Sequence, residues 1–213
     1  MKPTTSIQYK AYEYIKNLIL NGKFDYDCIY SETKIAKEIG VSRTPIRDAL
    51  HRLSQEKYVE IIPSKGFCLH QITNEDLIQT FEVRAALETY CTLQITKRYD
   101  SIAAKKLFTN LSNLLDVQQE ILSKSNSIAE FLNSDKKFHI EIVQFLNNTY
   151  FNDLFESNLF QINHIATKSL ECEGRMQATF IEHQNIFDAM VEGNISQIQN
   201  ITLHHIEAPK DFI

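Results

Sequence analysis

Three amphipathic segments occupy the first part of the chain. Apolar residues recur at helical spacing from Thr5 to Asn21, again after Ser31, and again after Ser42. A serine before each of the last two segments is a favourable N-cap. Gly40 between them suits the left-handed residue that ends a helix. The pattern therefore predicts three helices, of which the second and third form a helix-turn-helix.

Two short β-prone runs follow the third helix. Residues 58–62 and 67–70 are rich in branched and aromatic side chains, and Lys65 and Gly66 lie in the turn between them. This order predicts a β-hairpin with a basic tip. The first domain, residues 1–72, is thus predicted to be a winged helix-turn-helix.

The start of the third helix carries side chains that suit DNA. Arg43 and Arg47 fall on its exposed face, with Ser42 and Thr44 beside them. Arginine pairs bidentately with guanine in the major groove, and the N-terminal end of a recognition helix is the part that reaches the bases. A small helical domain with solvated arginines is the alternative, which the basic hairpin tip disfavours.

The rest of the chain, residues 73–213, shows helical periodicity and no strand alternation. Six helices are predicted, at residues 74–99, 102–124, 127–147, 150–171, 176–192 and 195–207. Their short connections favour antiparallel neighbours. The predicted fold class is mainly α: a winged helix-turn-helix with a small β-hairpin wing, followed by an antiparallel all-α bundle of about six helices.

Polar residues interrupt the core-facing stripes of this bundle. Asp135 and His139 lie one turn apart on the inward face of the third bundle helix. His183 lies 10 residues before Gly193 and His205 lies 12 after it, so a helical hairpin turning there brings both to a similar depth. Three imidazoles and a carboxylate predict a divalent metal site: zinc is the first expectation, and nickel, manganese and iron also suit. For each residue alone, a hydrogen-bonded core side chain is the alternative.

Composition narrows the class of protein. Only 5 Gly and 4 Pro occur in 213 residues, which agrees with long helices. No apolar run approaches the ~18 residues of a membrane span. The 4 cysteines are scattered and form no CxxC pair. We therefore expect a cytoplasmic protein with reduced thiols and no membrane partner.

Charge is unevenly distributed between the two predicted domains. Residues 1–70 hold 11 Lys and Arg against 8 Asp and Glu, a net charge of +3. Residues 71–213 hold 11 against 19, a net charge of −8, and together these give the −5 of the whole chain. A basic first third on an acidic protein is typical of a polyanion-binding module, although a solvated face would also account for it.

The segment 31–73, SETKIAKEIGVSRTPIRDALHRLSQEKYVEIIPSKGFCLHQIT, closely resembles the winged helix of GntR-type transcriptional regulators. Two positions depart from the family pattern: Thr33 stands where an arginine is usual, and Lys57 where a glycine precedes the wing. The resemblance implies that operator DNA is contacted by Ser42, Arg43, Thr44, Arg47, Lys65 and Gly66.

The bundle resembles the ligand-binding domain of the FadR/FCD branch of this family. The matching residues include VRAALE at 83–88, DKKFH at 135–139, and the later histidines. The resemblance implies a homodimer, a small organic acid as effector, and a divalent metal held by Asp135, His139, His183 and His205. It also makes Arg84 a candidate for the effector's carboxylate, with a salt bridge to Glu88 as the alternative.

These features predict a metabolite-responsive, DNA-binding transcriptional regulator, a repressor in the commoner form of the family, and not an enzyme. Its expected partners are double-stranded operator DNA, a small carboxylate metabolite and a second copy of the chain. Two alternatives stay open. One is a metal-dependent hydrolase or oxygenase with an accessory helix-turn-helix. The other is a regulator for which the metal itself is the signal.

Overall fold

The computed structural model describes residues 6–212, and Thr5, the predicted start of the first helix, lies outside them. The chain forms two compact units, of which the first ends at Thr73 and the second begins at Asn74. Within the described residues, none of the helices combines the length and the apolar character that crossing a membrane requires.

The first unit is a winged helix-turn-helix. Helices α1 and α2 both pack against α3, and β1 follows α3 and pairs with β2 in an antiparallel hairpin. Apolar side chains from all of these elements form its core, with Ile15, Leu53, Tyr58 and Phe67 fully buried. The elements are α1 (Ile7–Leu20), α2 (Glu32–Glu38), α3 (Arg43–Gln55), β1 (Val59–Ile62) and β2 (Gly66–Leu69).

A close backbone approach holds the wing to the loop before α2. Tyr30 and Phe67 exchange backbone hydrogen bonds of 2.7 and 3.0 Å. Gly66, next to Phe67, has φ +133°, and a Cβ there would lie 2.0 Å from the carbonyl oxygen of Tyr30. Only glycine fits this position. Lys57, which stands where the resembled GntR-type pattern usually has a glycine, adopts the left-handed φ of 56° that a glycine would adopt without strain.

The second unit is a helical bundle followed by a 3₁₀ turn at Ala208–Asp211. The fourth predicted helix is broken at Asn158, whose side-chain amide donates to the carbonyl of Leu154 at 2.8 Å. Such a side-chain bond competes with the helical ladder, so one predicted helix becomes two. The helices are α4 (Asn74–Thr96), α5 (Ile102–Lys124), α6 (Ile128–Gln144), α7 (Thr149–Ser157), α8 (Leu159–Leu170), α9 (Arg175–Val191) and α10 (Ile198–Glu207).

Helix α4 is the centre of this bundle and packs against α6, α8, α9 and α10. One of its faces is polar yet buried, at every fourth residue: Asp76, Thr80, Arg84, Glu88, Thr92 and Thr96. The threonine hydroxyls are satisfied locally, because each donates to the carbonyl four residues earlier. Arg84 and Glu88, one turn apart, form an ion pair with each other, and both also contact His139 of α6 in the bundle core.

Candidate functional site

The predicted DNA-contacting residues lie at the start of α3 and at the tip of the wing. Ser42 is the N-cap residue of α3 and makes no capping bond with its side chain. Ser42, Arg43, Thr44, Arg47 and Lys65 are all exposed, whereas Gly66 is half-buried against Tyr30. The five exposed residues present hydroxyl, guanidinium and ammonium groups to solvent, which is the chemistry that a phosphate backbone and base edges require.

A carboxylate in α2 holds both arginines of this surface. Glu32 Oε2 accepts from Arg47 Nε at 3.0 Å and from Arg43 Nη2 at 3.4 Å. Both guanidinium groups are therefore held by the same carboxylate oxygen of Glu32. Sequence reasoning missed this residue, although its place in the first turn of α2, opposite the start of α3 in a helix-turn-helix, was a usable signal.

Three histidines from three helices meet in the core of the bundle. His139 lies on α6, His183 on α9 and His205 on α10, and one ring nitrogen of each lies within 4.8 Å of the other two. The Nε2 atoms of His139 and His205 are 3.2 Å apart. Asp135, one turn before His139, places Oδ1 at 3.5 Å from His183 Nε2 and 3.9 Å from His139 Nε2. The structure thus brings together the four predicted ligands.

Each of the three imidazole rings is held through its other nitrogen. His139 Nδ1 lies 2.5 Å from Glu88 Oε2, and His205 Nδ1 lies 2.7 Å from Glu182 Oε2. His183 Nδ1 lies 3.0 Å from Gln118 Oε1. Carboxylate and amide oxygens accept, so the proton of each ring is on Nδ1 and the lone pair is on Nε2. Metal-binding histidines have this arrangement, because the outer acceptor fixes the ring and its tautomer.

The environment favours the neutral form of His183 and His205 and the ionised form of Glu88 and Glu182. Burial lowers the pKa of His183 well below its ordinary value, and burial also lowers the pKa of His205, partly offset by Glu182. Burial alone would raise the pKa of Glu182, but hydrogen bonds from His205 and Arg175 bring it down to about 2. In the same way, Arg84 and His139 outweigh burial and lower the pKa of Glu88.

The donor set fits a divalent metal ion. His183 Nε2 is buried and has no hydrogen-bond partner among the described residues. An unsatisfied buried nitrogen costs free energy of about 1–3 kcal/mol. The Nε2 lone pairs of His139 and His205 also face each other at 3.2 Å, which is unfavourable unless a cation lies between them, although His139 Nε2 is 3.4 Å from the donor Arg84 Nη2. Three imidazoles and a carboxylate are a common ligand set for borderline divalent metals.

Two buried arginines line a small cavity beside the histidines. Arg84 Nε donates to Glu88 Oε1 at 2.7 Å, and Arg84 Nη2 lies 3.4 Å from His139 Nε2. The salt bridge considered as the alternative role of Arg84 is therefore present, and the guanidinium also faces the cavity. Arg175 binds Glu182 with two hydrogen bonds of 2.6 and 2.8 Å. The cavity measures about 20 Å³.

The sequence identified the four candidate metal ligands but not the residues that hydrogen-bond to them. Glu88 was considered only as a partner of Arg84, and Gln118, Arg175 and Glu182 were given no role. The period-four polar face of α4 was a usable signal for Glu88. For Gln118 and Arg175, which lie among the apolar stripes of α5 and α9, no local pattern gives the partner.

Comparison with known families decides the class of protein. The pattern described as bacterial regulatory proteins of the gntR family matches residues 8–69, and that of the FCD domain matches residues 79–208. The second match alone spans more than half of the chain. The protein belongs to the GntR family, in its FCD branch. This GntR/FCD protein is a DNA-binding transcriptional regulator and not an enzyme, since the matched families and the relatives are regulators.

Individual relatives agree with this assignment. The GntR/FCD regulator is 25% identical over 204 residues, 96% of this chain and 89% of the relative, to the uncharacterized HTH-type transcriptional regulator YdhC of Bacillus subtilis (strain 168). It is 30% identical over 149 residues to the gluconate operon transcriptional repressor of the same organism, covering 70% of this chain and 58% of that repressor. The solved structure of E. coli McbR/YncC shares the fold, with a TM-score of 0.79, 15% identity, and coverage of 97% and 96% of the two chains.

Proposed function

We propose that this regulator is a homodimeric repressor whose bundle holds a divalent metal ion and senses a small organic acid. Similarity to the gluconate operon transcriptional repressor supports repression as the mode of action. The HTH-type transcriptional repressor RspR of Escherichia coli (strain K12), 20% identical over 207 residues and 97% of this chain, points the same way.

One observation carries the metal proposal: the lone pairs of three buried imidazoles converge, and one of them, His183 Nε2, has no partner among the described residues. Asp135, His139, His183 and His205 would hold the ion, with Glu88, Gln118 and Glu182 fixing the three rings. A bound divalent cation would supply a positive charge that attracts an acid's carboxylate.

The protein's own residues would orient the acid. Arg84 is buried, lines the cavity and has donor atoms beyond the one that binds Glu88. A guanidinium is well suited to a carboxylate, because its donors form a planar fork. In a dimer, two α3 helices would read half-sites about one helical turn apart, at about 34–36 Å.

The acid would act by linkage between the two sites. A ligand that binds one state of the protein more tightly shifts the population toward that state. Operator DNA and the acid then change each other's affinity by the same factor. Binding of the acid in the bundle would therefore be enough to change operator affinity, without any catalytic reaction.

Metal analysis of purified protein tests the proposal. His205→Ala should lose the bound ion, whereas His204→Ala, the exposed neighbour on the same helix, should keep the wild-type stoichiometry. Equal stoichiometry in both variants would reject the site. Operator titrations with metal and acid varied separately then identify the signal. Affinity that follows the metal at fixed acid would make the metal the effector.

A further inference from the structure

We infer that the acid sensed by this regulator carries a single negative charge, so that the cavity takes a small monocarboxylate and discriminates against dicarboxylates. The inference rests on the proposed metal site and narrows the class of its ligand. It depends on the two Arg–Glu–His chains that surround the histidines.

The two chains have the same construction. Glu88 accepts from Arg84 through Oε1 and from His139 through Oε2. Glu182 likewise accepts from Arg175 and, through Oε2, from His205. Each carboxylate is thus shared between a guanidinium and an imidazole. The third histidine, His183, differs because its outer partner is the uncharged amide of Gln118.

This construction fixes the formal charge of the buried cluster. The carboxylates of Glu88, Asp135 and Glu182 carry three negative charges, and the guanidinium groups of Arg84 and Arg175 carry two positive charges. All five side chains are buried or nearly so, with Glu182 the most accessible at 12%. The cluster therefore carries one negative charge, and a divalent cation converts it into one positive charge.

One positive charge in a buried site is neutralised by one carboxylate. A second carboxylate would need another cation, but both arginines of the cavity wall are already paired with their own glutamates. An unpaired charge in a buried site is strongly destabilising. A dianion should therefore bind at least about tenfold more weakly than a monoanion of the same shape.

The size of the cavity favours a small acid. At about 20 Å³, the cavity has room for about one water molecule, so an acid enters only if the walls move apart. Ser169 and Thr179 line this cavity, and Ser169 Oγ accepts a hydrogen bond from Arg175 Nε at 3.1 Å. They offer hydrogen bonds to a hydroxyl substituent, and α-hydroxy acids are accordingly the probes of choice.

Three probes separate charge from size: lactate, malate and 2-hydroxyisocaproate. Malate and 2-hydroxyisocaproate have nearly the same shape, since two carboxylate oxygens replace two methyl groups, but malate has the additional charge. Calorimetric titration of zinc-loaded protein should show tight binding of lactate, weaker binding of 2-hydroxyisocaproate, and binding of malate at least about tenfold weaker than of 2-hydroxyisocaproate.

A variant that changes the net charge of the buried cluster tests the charge argument directly. Glu182→Gln keeps an acceptor for His205 Nδ1, as Gln118 does for His183, and raises the net charge of the cluster by one. The ratio of malate affinity to 2-hydroxyisocaproate affinity should rise by about tenfold. Glu207→Gln, the same change at an exposed position on α10, should leave the ratio unchanged. Glu88→Gln repeats the test on the other chain if Glu182→Gln loses zinc.

The outcomes distinguish this inference from the function on which it rests. The charge argument would be overturned if malate bound as tightly as 2-hydroxyisocaproate. It would also be overturned if a glutamate variant that retains zinc left the ratio of the two affinities unchanged. Either result would leave acid sensing intact. If zinc binds with full stoichiometry but none of the three acids binds, the acid-sensing part of the proposed function fails. If zinc itself does not bind, the metal site fails.

Discussion

His139 and His205 face each other through their Nε2 atoms at 3.2 Å, and each ring is anchored by a glutamate carboxylate on the opposite side. Neither ring can turn away without breaking its bond to Glu88 or Glu182. The two lone pairs are therefore held in opposition by the fold. Such an arrangement is preorganised for a cation, and its geometry depends on residues outside the inner ligand set.

The uncharged outer partner of His183 gives a first prediction. Gln118→Leu removes the acceptor of His183 Nδ1 and should weaken metal binding by about 10–100-fold, measured by competition with a chelator. The apo domain should lose about 1–3 kcal/mol of stability, because the Nδ1 hydrogen of the buried His183 is left without an acceptor. Gln119→Leu, at the exposed next position, is the control. Equal affinities in the two variants would remove Gln118 from the site.

A second prediction concerns the recognition helix. Arg43→Ala should weaken specific operator binding by about 5–150-fold for each half-site, because a bidentate arginine–guanine contact contributes about 1–3 kcal/mol of discrimination. The thermal unfolding of the protein should not change, since the Arg43 side chain is 56% exposed. Lys106→Ala, an exposed charge on α5, controls for net charge. Unchanged affinity of Arg43→Ala in a gel-shift titration would contradict the assignment.

A third prediction concerns Glu32, whose substitution should increase DNA affinity rather than decrease it. Its carboxylate competes with DNA for Arg43 and Arg47, so Glu32→Gln should strengthen binding to non-specific DNA and steepen its dependence on salt. The free protein should lose no more than about 1 kcal/mol per ion pair. The comparison uses binding to random-sequence duplex at several salt concentrations. Weaker non-specific binding would show that Glu32 positions the arginines rather than competing for them.

A fourth prediction concerns Gly66 in the wing, with Gly22, just after α1, as its control. Gly66→Ala places a Cβ 2.0 Å from the Tyr30 carbonyl oxygen, so the wing must shift, and the first unit should lose about 2 kcal/mol or more. Gly22→Ala is the matched control, because Gly22 also has a positive φ, +62°, but no atom within 4 Å. It should cost only the left-handed strain of about 1–2 kcal/mol. Similar losses in denaturant unfolding would remove the role given to the close approach.

The cysteines give a fifth prediction. Burial, reinforced by the charge of Glu88, raises the pKa of Cys91 to about 12. Because the thiolate is the reactive form, Cys91 should not react with a thiol reagent at pH 8 in the native protein. Cys28, which is exposed, should react readily. Mass spectrometry of the labelled protein locates the sites, and denaturant should make all four cysteines reactive. Rapid native labelling of Cys91 would contradict its burial.

Local patterns in the sequence were sufficient for the elements and for part of the site. Periodicity gave the helix-turn-helix, the wing and the bundle, because an amphipathic segment shows in its own residues which face is buried. His139, His183 and His205 all fall on inward helix faces, and a helical hairpin turning at Gly193 puts His183 and His205 at a similar depth. These two features predicted that the three histidines meet. The break at Asn158 escaped, since the same residue fits either a helix interior or the bond to Leu154.

The sequence by itself determined which side chains point into the bundle; only the tertiary structure decided what each one meets there. His183 and Gln118 are 65 residues apart, and His139 and Glu88 are 51 apart. Helical spacing fixes the direction of a side chain about its own axis, but the partner depends on how neighbouring helices are rotated and shifted against each other. Those two quantities come from packing across the whole core, which no single segment encodes.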